Sequence, residues 1–306
     1  FDNMQNSGVA ANTPLLVSHV ARDKKWVLAE THYAMGWIPA SHIARVDAAF
    51  MKQWENSAYV VITRDKTSMY SDNGRLLFKV PLGSFFPKTG EDDRGLQIRI
   101  ATADKEGRAV IRKTILSRDS AAAKPLQLTS ANMASIANEL INKPYGWGGL
   151  DQKRDCSSLL MDLFSPFGIW LPRNSSHQAK KTGLFIDLRN LSPKEKERMI
   201  LKNGIPYLTL LWLKGHIMLY IGSQDGRALV FHNFWSVKTR DVNGKTGKKI
   251  VGKAAITTLR PGRELRERQG TGDILPSIRG MTLLWPPPTT PIEMPPGEEE
   301  GYNIWE

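Results

Sequence analysis

Cysteine is almost missing from this chain: Cys156 is the only one in 306 residues. A single thiol excludes intramolecular disulfides, so it is either a small buried apolar side chain or a sulfur kept free for chemistry. Long apolar runs are missing as well. No stretch approaches the ~18 residues a membrane-crossing helix requires. The opening FDNMQNSGVA lacks the charged start and apolar middle of a secretory signal, which leaves location to follow from function. Metal-ligand spacing is absent, since one Cys and scattered His make a poor zinc site, and no metal or organic cofactor is expected. Acidic residues are in deficit, 30 against 42 Lys and Arg, for a net charge of +12. That balance favours an anionic partner or simply a solvated basic face. The cations are dispersed and no aromatic RNA-binding signature accompanies them, which argues against nucleic acid. Hydrophobic residues, at 41%, suffice for packed cores, and the length suits more than one domain.

What is present changes character along the chain. From residue 14 to 46, PLLVSHVARDKKWVLAETHYAMGWIPASHIARV alternates short β-like runs with polar turns, as a small antiparallel barrel would. DAAFMKQWENS then reads as one or two helical turns leading to a second β unit, with turn signals at SDNG and EDDRG. After a Ser-Ala linker, Met133, Ile136, Ala137, Leu140 and Ile141 recur at helical spacing behind Ser130 as expected N-cap. A glycine-rich loop follows, and Cys156 opens a second helix that ends near Pro166 and Gly168. SPKEKERMILKNG is a third helix, with Ser192 as cap, Pro193 in the first turn and Glu195 completing a capping box. IPYLTLLWL, GHIMLYIG and ALVFHNFW are strand candidates, so the third unit is α+β. The expected division is a first β module at 1–48, a second at 49–120, and an α+β domain at 121–306. The Pro-rich, acidic tail of the last unit should run extended over the surface or stay mobile, and it carries no assigned chemistry.

A cysteine in the first turn of a helix meets unpaired backbone N–H groups and the positive end of the helix dipole, which should lower its pKa and make it nucleophilic. It still needs a base, and the base needs an orienting group. Of six histidines, His19, His32 and His42 fall in the first β module and His177 in a polar loop, so each defaults to the surface. His216 and His232 lie on consecutive strands joined by SQDGR. A loop centred on Gln224 would set them opposite each other, with backbones about 5 Å apart. A two-residue Asp-Gly turn would slide that register by about three residues. The alternative for each is structural: a buried apolar Cys and hydrogen-bonded strand histidines.

YGWGG at 145–149, DCSSL at 155–159, LPRNS at 171–175, GHIMLYIG at 215–222 and FHNF at 231–234, in that order, resemble the NlpC/p60 family of papain-like cysteine peptidases. The two β modules, the first ending in GWIPASHIARV, resemble the paired bacterial SH3-like domains that precede the catalytic domain in cell-wall members. The resemblance implies two SH3-like barrels followed by a papain-like α+β catalytic domain. It implies Cys156 as nucleophile, His216 as general base, His232 as its orienting residue, and Tyr145 with the Cys156 N–H as oxyanion donors. Asp155, Ser157, Arg173 and Ser175 fall on family positions that contact the substrate's free amine and the D-glutamate carboxylate, and Trp147 joins them within YGWGG. Glu30 of the first module loosely matches an acidic residue that meets the L-alanine amine in some relatives. Three departures stand out: Ser158 where the family commonly has Gly, Asn174 where it has Asp, and KNGIPYLTLLWLKGHIM in place of a GDLVFF-type segment.

The implied activity is hydrolysis of the amide between γ-linked D-glutamate and the diamino acid of peptidoglycan stem peptides, with preference for a free N-terminal L-Ala. Stem peptides or muropeptides would be the partners, with no nucleic acid and no membrane span, and the protein would act as a monomer. It would work in the periplasm or outside the cell, or in cytoplasmic recycling. An amidase or acyltransferase on the same scaffold, or a wall-binding adaptor with an inactive thiol domain, are the rival readings.

Overall fold

Short runs with inward-facing β-branched and small residues build the first module, seen in a computed structural model that describes residues 4–240, 243, 245–262 and 273–284. Strands β1 (Leu16–Val20), β2 (Trp26–Glu30) and β3 (Met35–Pro39) form one antiparallel sheet in that order. On β2, Val27 and Ala29 turn inward while Trp26 and Glu30 face solvent, the period of two that a half-buried strand requires. Helix α1 (Ala48–Trp54) follows, its first turn capped by the Asp47 carboxylate, which accepts from the Phe50 N–H at 2.7 Å.

The second module contains β4 (Tyr59–Ile62), β5 (Thr67–Tyr70), β6 (Leu76–Val80), β7 (Phe85–Asp92), β8 (Gly95–Ala103), β9 (Ala109–Leu116) and β10 (Ala121–Lys124). Five of these run in the order β10-β4-β7-β8-β9, and β5 and β6 pair as a separate hairpin. Val60, Ile62, Met69, Phe86 and Ile98 form its core. Because β10 pairs with β4 from Ala121 to Lys124, the second module runs four residues past the division expected at 120.

The third unit is the expected α+β domain. Helices α2 (Ser130–Leu140), α3 (Cys156–Phe164), α4 (Ser175–Lys181) and α5 (Pro193–Asn203) pack on a six-stranded sheet. Its strands are β11 (Leu184–Asp187), β12 (Thr209–Leu213), β13 (His216–Gln224), β14 (Arg227–Arg240), β15 (Thr246–Thr258) and β16 (Gly280–Leu283), in the order β11-β16-β12-β13-β14-β15. Alternation on β13 feeds two cores. Ile217 and Leu219 join Leu140, Leu159 and Leu163 of α2 and α3, while Met218 and Tyr220 join Met199 and Ile200 of α5. Each such fully buried side chain contributes about 1.5–3 kcal/mol.

Two local expectations need correction. The cap of α2 is Thr129, whose hydroxyl accepts from the Asn132 N–H at 3.2 Å, because Ser130 already has helical geometry. His177 lies in α4 rather than in a loop, although it is exposed as expected; this helix starts at the side chain of Asn174, which accepts from the Ser176 N–H at 2.9 Å.

The second module is fastened to the third by a buried guanidinium. Arg154 reaches Asp65 Oδ1 and Asp162 Oδ2, each at 2.6 Å, and the Ser165 hydroxyl donates to the Gly83 carbonyl, also at 2.6 Å. Among the described residues no helix is long and apolar enough to cross a membrane. The Pro-rich, acidic tail beyond Leu284 lies outside the described residues.

Candidate active site

Cys156 is the first residue of α3, and the chain around it is built to start a helix there. Asp155 is the N-cap: its Oδ1 accepts from the Ser158 N–H and hydroxyl, both at 2.9 Å, while the Asp155 N–H donates back to Ser158 Oγ at 2.9 Å. This reciprocal box explains Ser158, since glycine would keep the N–H bond to Asp155 but lose both bonds made by the hydroxyl. The thiol is only 7% exposed and sits in the core cluster with Leu159, Ile217 and Phe231. The expectation of a lowered pKa fails for that reason. Burial, and next the Asp155 carboxylate, push the thiol up to about 12, against the Ile217 and Ser157 N–H groups and the Arg173 charge. Desolvation outweighs the helix end, and the thiol is neutral.

The two histidines meet by a route that strand alternation alone does not give. The turn is the two-residue Asp225-Gly226, so Gln224 pairs with Arg227. Continued unbroken, that register would put His216 and His232 on opposite faces. A bulge between Tyr220 and Gly222, where Gly222 has φ +127°, removes one residue of offset, and Leu219 then faces Phe231. Parity is restored. His216 Nε2 lies 2.8 Å from His232 Nδ1, with His232 stacked on Phe234 at 4.2 Å between ring centres.

The protons along this chain follow from its far end. The Thr257 hydroxyl donates to the Thr258 carbonyl at 2.8 Å, so its oxygen accepts from His232 Nε2–H at 3.0 Å. His232 Nδ1 is then an acceptor for His216 Nε2–H, which leaves the lone pair of His216 on Nδ1. Burial lowers His216 to about 4, partly opposed by the Asp155 carboxylate, and holds His232 well below its ordinary range, so both rings are neutral. Ile217, next after His216, gives its N–H to the Cys156 sulfur. Thr257 was missed in the sequence because a threonine on a strand signals only β propensity; its place opposite Val230, on the face shared with His232, is the register signal that would have found it.

Tyr145 precedes a loop bent by left-handed residues: Gly148 has φ +60° and Gly149 φ +81°. A Cβ on Gly148 would come within 2.3 Å of the Gln5 carbonyl oxygen, and one on Gly149 within 2.4 Å of the Gly8 nitrogen. The glycine pair thus admits the segment Gln5–Gly8, which is also held by Gln5 Nε2 donating to the Gly148 carbonyl at 2.9 Å and Tyr33 to the Gly8 carbonyl at 3.0 Å. Burial, with the nearby Asp155 carboxylate, raises the Tyr145 pKa, so its hydroxyl stays a donor.

Arg173 binds this cluster together. Its Nη2 pairs with Asp155 Oδ2 at 2.5 Å, Nη1 donates to Ser157 Oγ at 2.9 Å, and Nε donates to Ser7 Oγ at 2.9 Å. Asp155 is fully engaged as cap and ion pair, which holds its carboxyl below the usual range in spite of burial. Underneath, the buried Gln178 donates to the Ser157 and Pro172 carbonyls at 2.9 and 2.8 Å. Cys156, Asp155, Ser157, Arg173, Tyr145, His216 and His232 therefore assemble in one place. Trp147 is 46% exposed at the rim. Ser175 opens α4. Glu30 ends β2, exposed, and the residue of the first module whose hydroxyl feels Arg173 is Tyr33. The segment that departs from GDLVFF supplies β12, paired with β13 from Thr209 to Leu213. No cluster of metal-ligating side chains occurs among the described residues. A thiol with a neutral imidazole relay and N–H and O–H donors at a helix start can perform acyl transfer.

Comparison with known families agrees with this layout. Residues 1–39 match an SH3 domain of SH3b1 type, residues 47–93 an SH3 domain of SH3b2 type, and residues 142–254 the NlpC/P60 family. Among solved structures, a novel NlpC/P60 endopeptidase from Photobacterium damselae subsp. piscicida is similar with TM-score 0.79 and 31% identity, over 93% of this chain and 66% of that one. The chain thus spans 66% of that relative's length. An NlpC/P60 family protein from Bacillus cereus ATCC 10987 shares the fold, with TM-score 0.64 and 16% identity over 92% of this chain and 82% of that one. No curated protein matches.

Proposed function

The chain belongs to the NlpC/P60 family through residues 142–254, behind two SH3b domains, and on that premise we propose that it is a cysteine peptidase that cuts the amide joining γ-linked D-glutamate to a diamino acid in peptidoglycan stem peptides. The observation that carries this reading is the relay Thr257–His232–His216, which leaves one imidazole lone pair free in the neighbourhood of a helix-opening thiol.

Because thiol and imidazole rest neutral, attack is coupled to proton transfer. His216 Nδ1 takes the thiol proton as the sulfur of Cys156 bonds to the γ-D-glutamyl carbonyl carbon. Charge on the former carbonyl oxygen is met by the Cys156 N–H and the Tyr145 hydroxyl, which burial keeps protonated. The protonated His216 then gives its proton to the departing amine, the C–N bond breaks, and the thioester remains. Water, losing a proton to His216, attacks the thioester and returns the thiol. The substrate carboxylate is assigned to Arg173, whose remaining Nη2 hydrogen has no described protein acceptor once Ser7, Ser157 and Asp155 are served. The first SH3b domain and the Gln5–Gly8 segment wall the acyl side, which suits a short stem with a free N-terminal L-Ala. The same reading has the protein acting as a monomer in the periplasm or outside the cell.

Incubation with L-Ala-γ-D-Glu-diaminopimelate, followed by mass spectrometry, tests it. Free diaminopimelate should form with the wild-type protein and not with Cys156→Ala. Binding of wall fragments without turnover would instead make the protein an adaptor.

A further inference from the structure

Between Ser236 and Lys253 the sequence carries six cations, Lys238, Arg240, Lys245, Lys248, Lys249 and Lys253, against one acid, Asp241. Strands β14 and β15 stay paired out to Arg240 opposite Thr246, but β13 follows β14 only as far as Phe231. The outer half is therefore a two-stranded ribbon. It leaves the sheet at a bulge beside Trp235, where Gly252 takes φ +62°.

The register of this ribbon sets like charge against like. Lys238 lies directly opposite Lys248 and both are exposed; among the described residues neither of them, nor Lys249, meets a carboxylate. Like charges placed directly opposite weaken a strand pair. Other turns of the molecule avoid this, with Arg94 on Asp92 at 2.8 Å and Arg108 on Asp104 at 3.1 Å. The same face is also apolar. The period of two puts Ile250 beside Lys248, and Ile250 is 55% exposed. A Cβ on Gly252 would lie 3.6 Å from Ile250 Cγ2 and 3.7 Å from Trp235 Cζ3, so the isoleucine and the indole, itself 42% exposed, flank one spot. Leu150 and Trp147, both exposed, adjoin Trp235. Val237, on the opposite face, is buried, which turns the lysine face away from the protein.

Exposed lysines alone would suit any polyanion. Lysines interleaved with exposed isoleucine and tryptophan suit a surface that is anionic in one layer and apolar beneath it. There the indole and the isoleucine enter the headgroup region while the ammonium groups stay with the phosphates. We propose that this ribbon face docks on a bilayer surface rich in anionic phospholipid, a peripheral contact without a spanning segment. It asks nothing of the chemistry at Cys156.

The test is cosedimentation of the full chain with vesicles of phosphatidylglycerol and phosphatidylcholine, or of phosphatidylcholine alone, with calorimetry on soluble polyphosphate alongside. The wild type should bind the anionic vesicles and not the neutral ones. Lys238→Gln and Lys248→Gln should each lower that affinity about fivefold, the ratio that ~1 kcal/mol gives. Lys248→Glu should weaken it further while its urea midpoint matches or exceeds that of the wild type, because the residue opposite Lys238 then carries the opposite charge. A merely structural role for Lys248 would not give that combination. Ile250→Ser should weaken vesicle binding and leave polyphosphate binding unchanged. No binding to anionic vesicles, equal binding to neutral ones, lysine variants that bind like the wild type, or an Ile250→Ser protein with undiminished vesicle affinity would each overturn the assignment.

Discussion

Replacing Thr257 with valine deletes one hydroxyl while keeping the shape of the side chain, and it should disable a site whose nucleophile is far along the chain. In the wild type the hydroxyl oxygen accepts from His232 Nε2–H at 3.0 Å, and His232 is fully buried. Valine leaves that N–H without an acceptor, at a cost of about 1–3 kcal/mol for a buried donor. The ring can escape by moving its proton to Nδ1, but that position faces His216 Nε2 at 2.8 Å. His216 must then give up the Nε2 proton or turn away, and either change removes the Nδ1 lone pair that takes the thiol proton in the proposed mechanism. The free energy holding the productive tautomer is therefore the lost hydrogen bond, and about 1–3 kcal/mol translates to a fall in kcat of roughly 5- to 150-fold. Steady-state kinetics on a γ-D-glutamyl-diamino acid tripeptide reads this directly. KM should change little, and Thr257→Ser should recover most of the loss. A Thr257→Val protein with wild-type kcat, or a serine variant as slow as the valine one, would refute the proton assignment.

Other outcomes follow from the same geometry. Arg154→Met strands the Asp65 carboxylate, 3% exposed as a side chain, and should destabilise the protein by about 3–5 kcal/mol, read as a lowered urea midpoint; adding Asp65→Asn should return part of it. His216 should set the acid limb of kcat/KM near pH 4 instead of 6.5, because the base must be neutral and burial lowers it to about 4. The same shift bears on stability. Between pH 6.5 and about 4 the unfolded chain carries a proton on His216 that the native state lacks, so stability falls as pH falls, by up to ~1.4 kcal/mol per pH unit, and levels off below the folded value. Denaturation midpoints measured across that window check it.

Features set by neighbouring residues were legible in the sequence, and those set by distant ones were not. The Ser192–Glu195 box, the helix opening at Cys156 and the run of apolar residues in α2 depend on a few adjacent side chains, and each forms as its local chemistry implies. The meeting of His216 with His232 was expected from an unbulged loop at Gln224, yet it arises from an Asp-Gly turn corrected by a bulge at Gly222, a choice that no period-of-two pattern records. The polar helix α4 was hidden because SSHQAKK buries only Gln178 and Ala179 and shows no apolar stripe. The thiol pKa went the opposite way from its helix position because Leu159, Ile217 and Phe231 exclude water from it, which is a property of the assembled core. Asp155, expected to meet a substrate amine, is committed to capping α3 and pairing with Arg173, since the sequence does not reveal which charges already hold each other.

In the proposed reaction, acylation of Cys156 is the event on which the chemistry turns. Acid-quenching the protein within one turnover of an L-Ala-γ-D-Glu-diamino acid substrate and weighing the intact chain should reveal a species heavier by one L-Ala-γ-D-Glu acyl group, mapped to Cys156 and missing in Cys156→Ala. Continued hydrolysis by Cys156→Ala, or turnover with the acyl group found on any other residue, would contradict it.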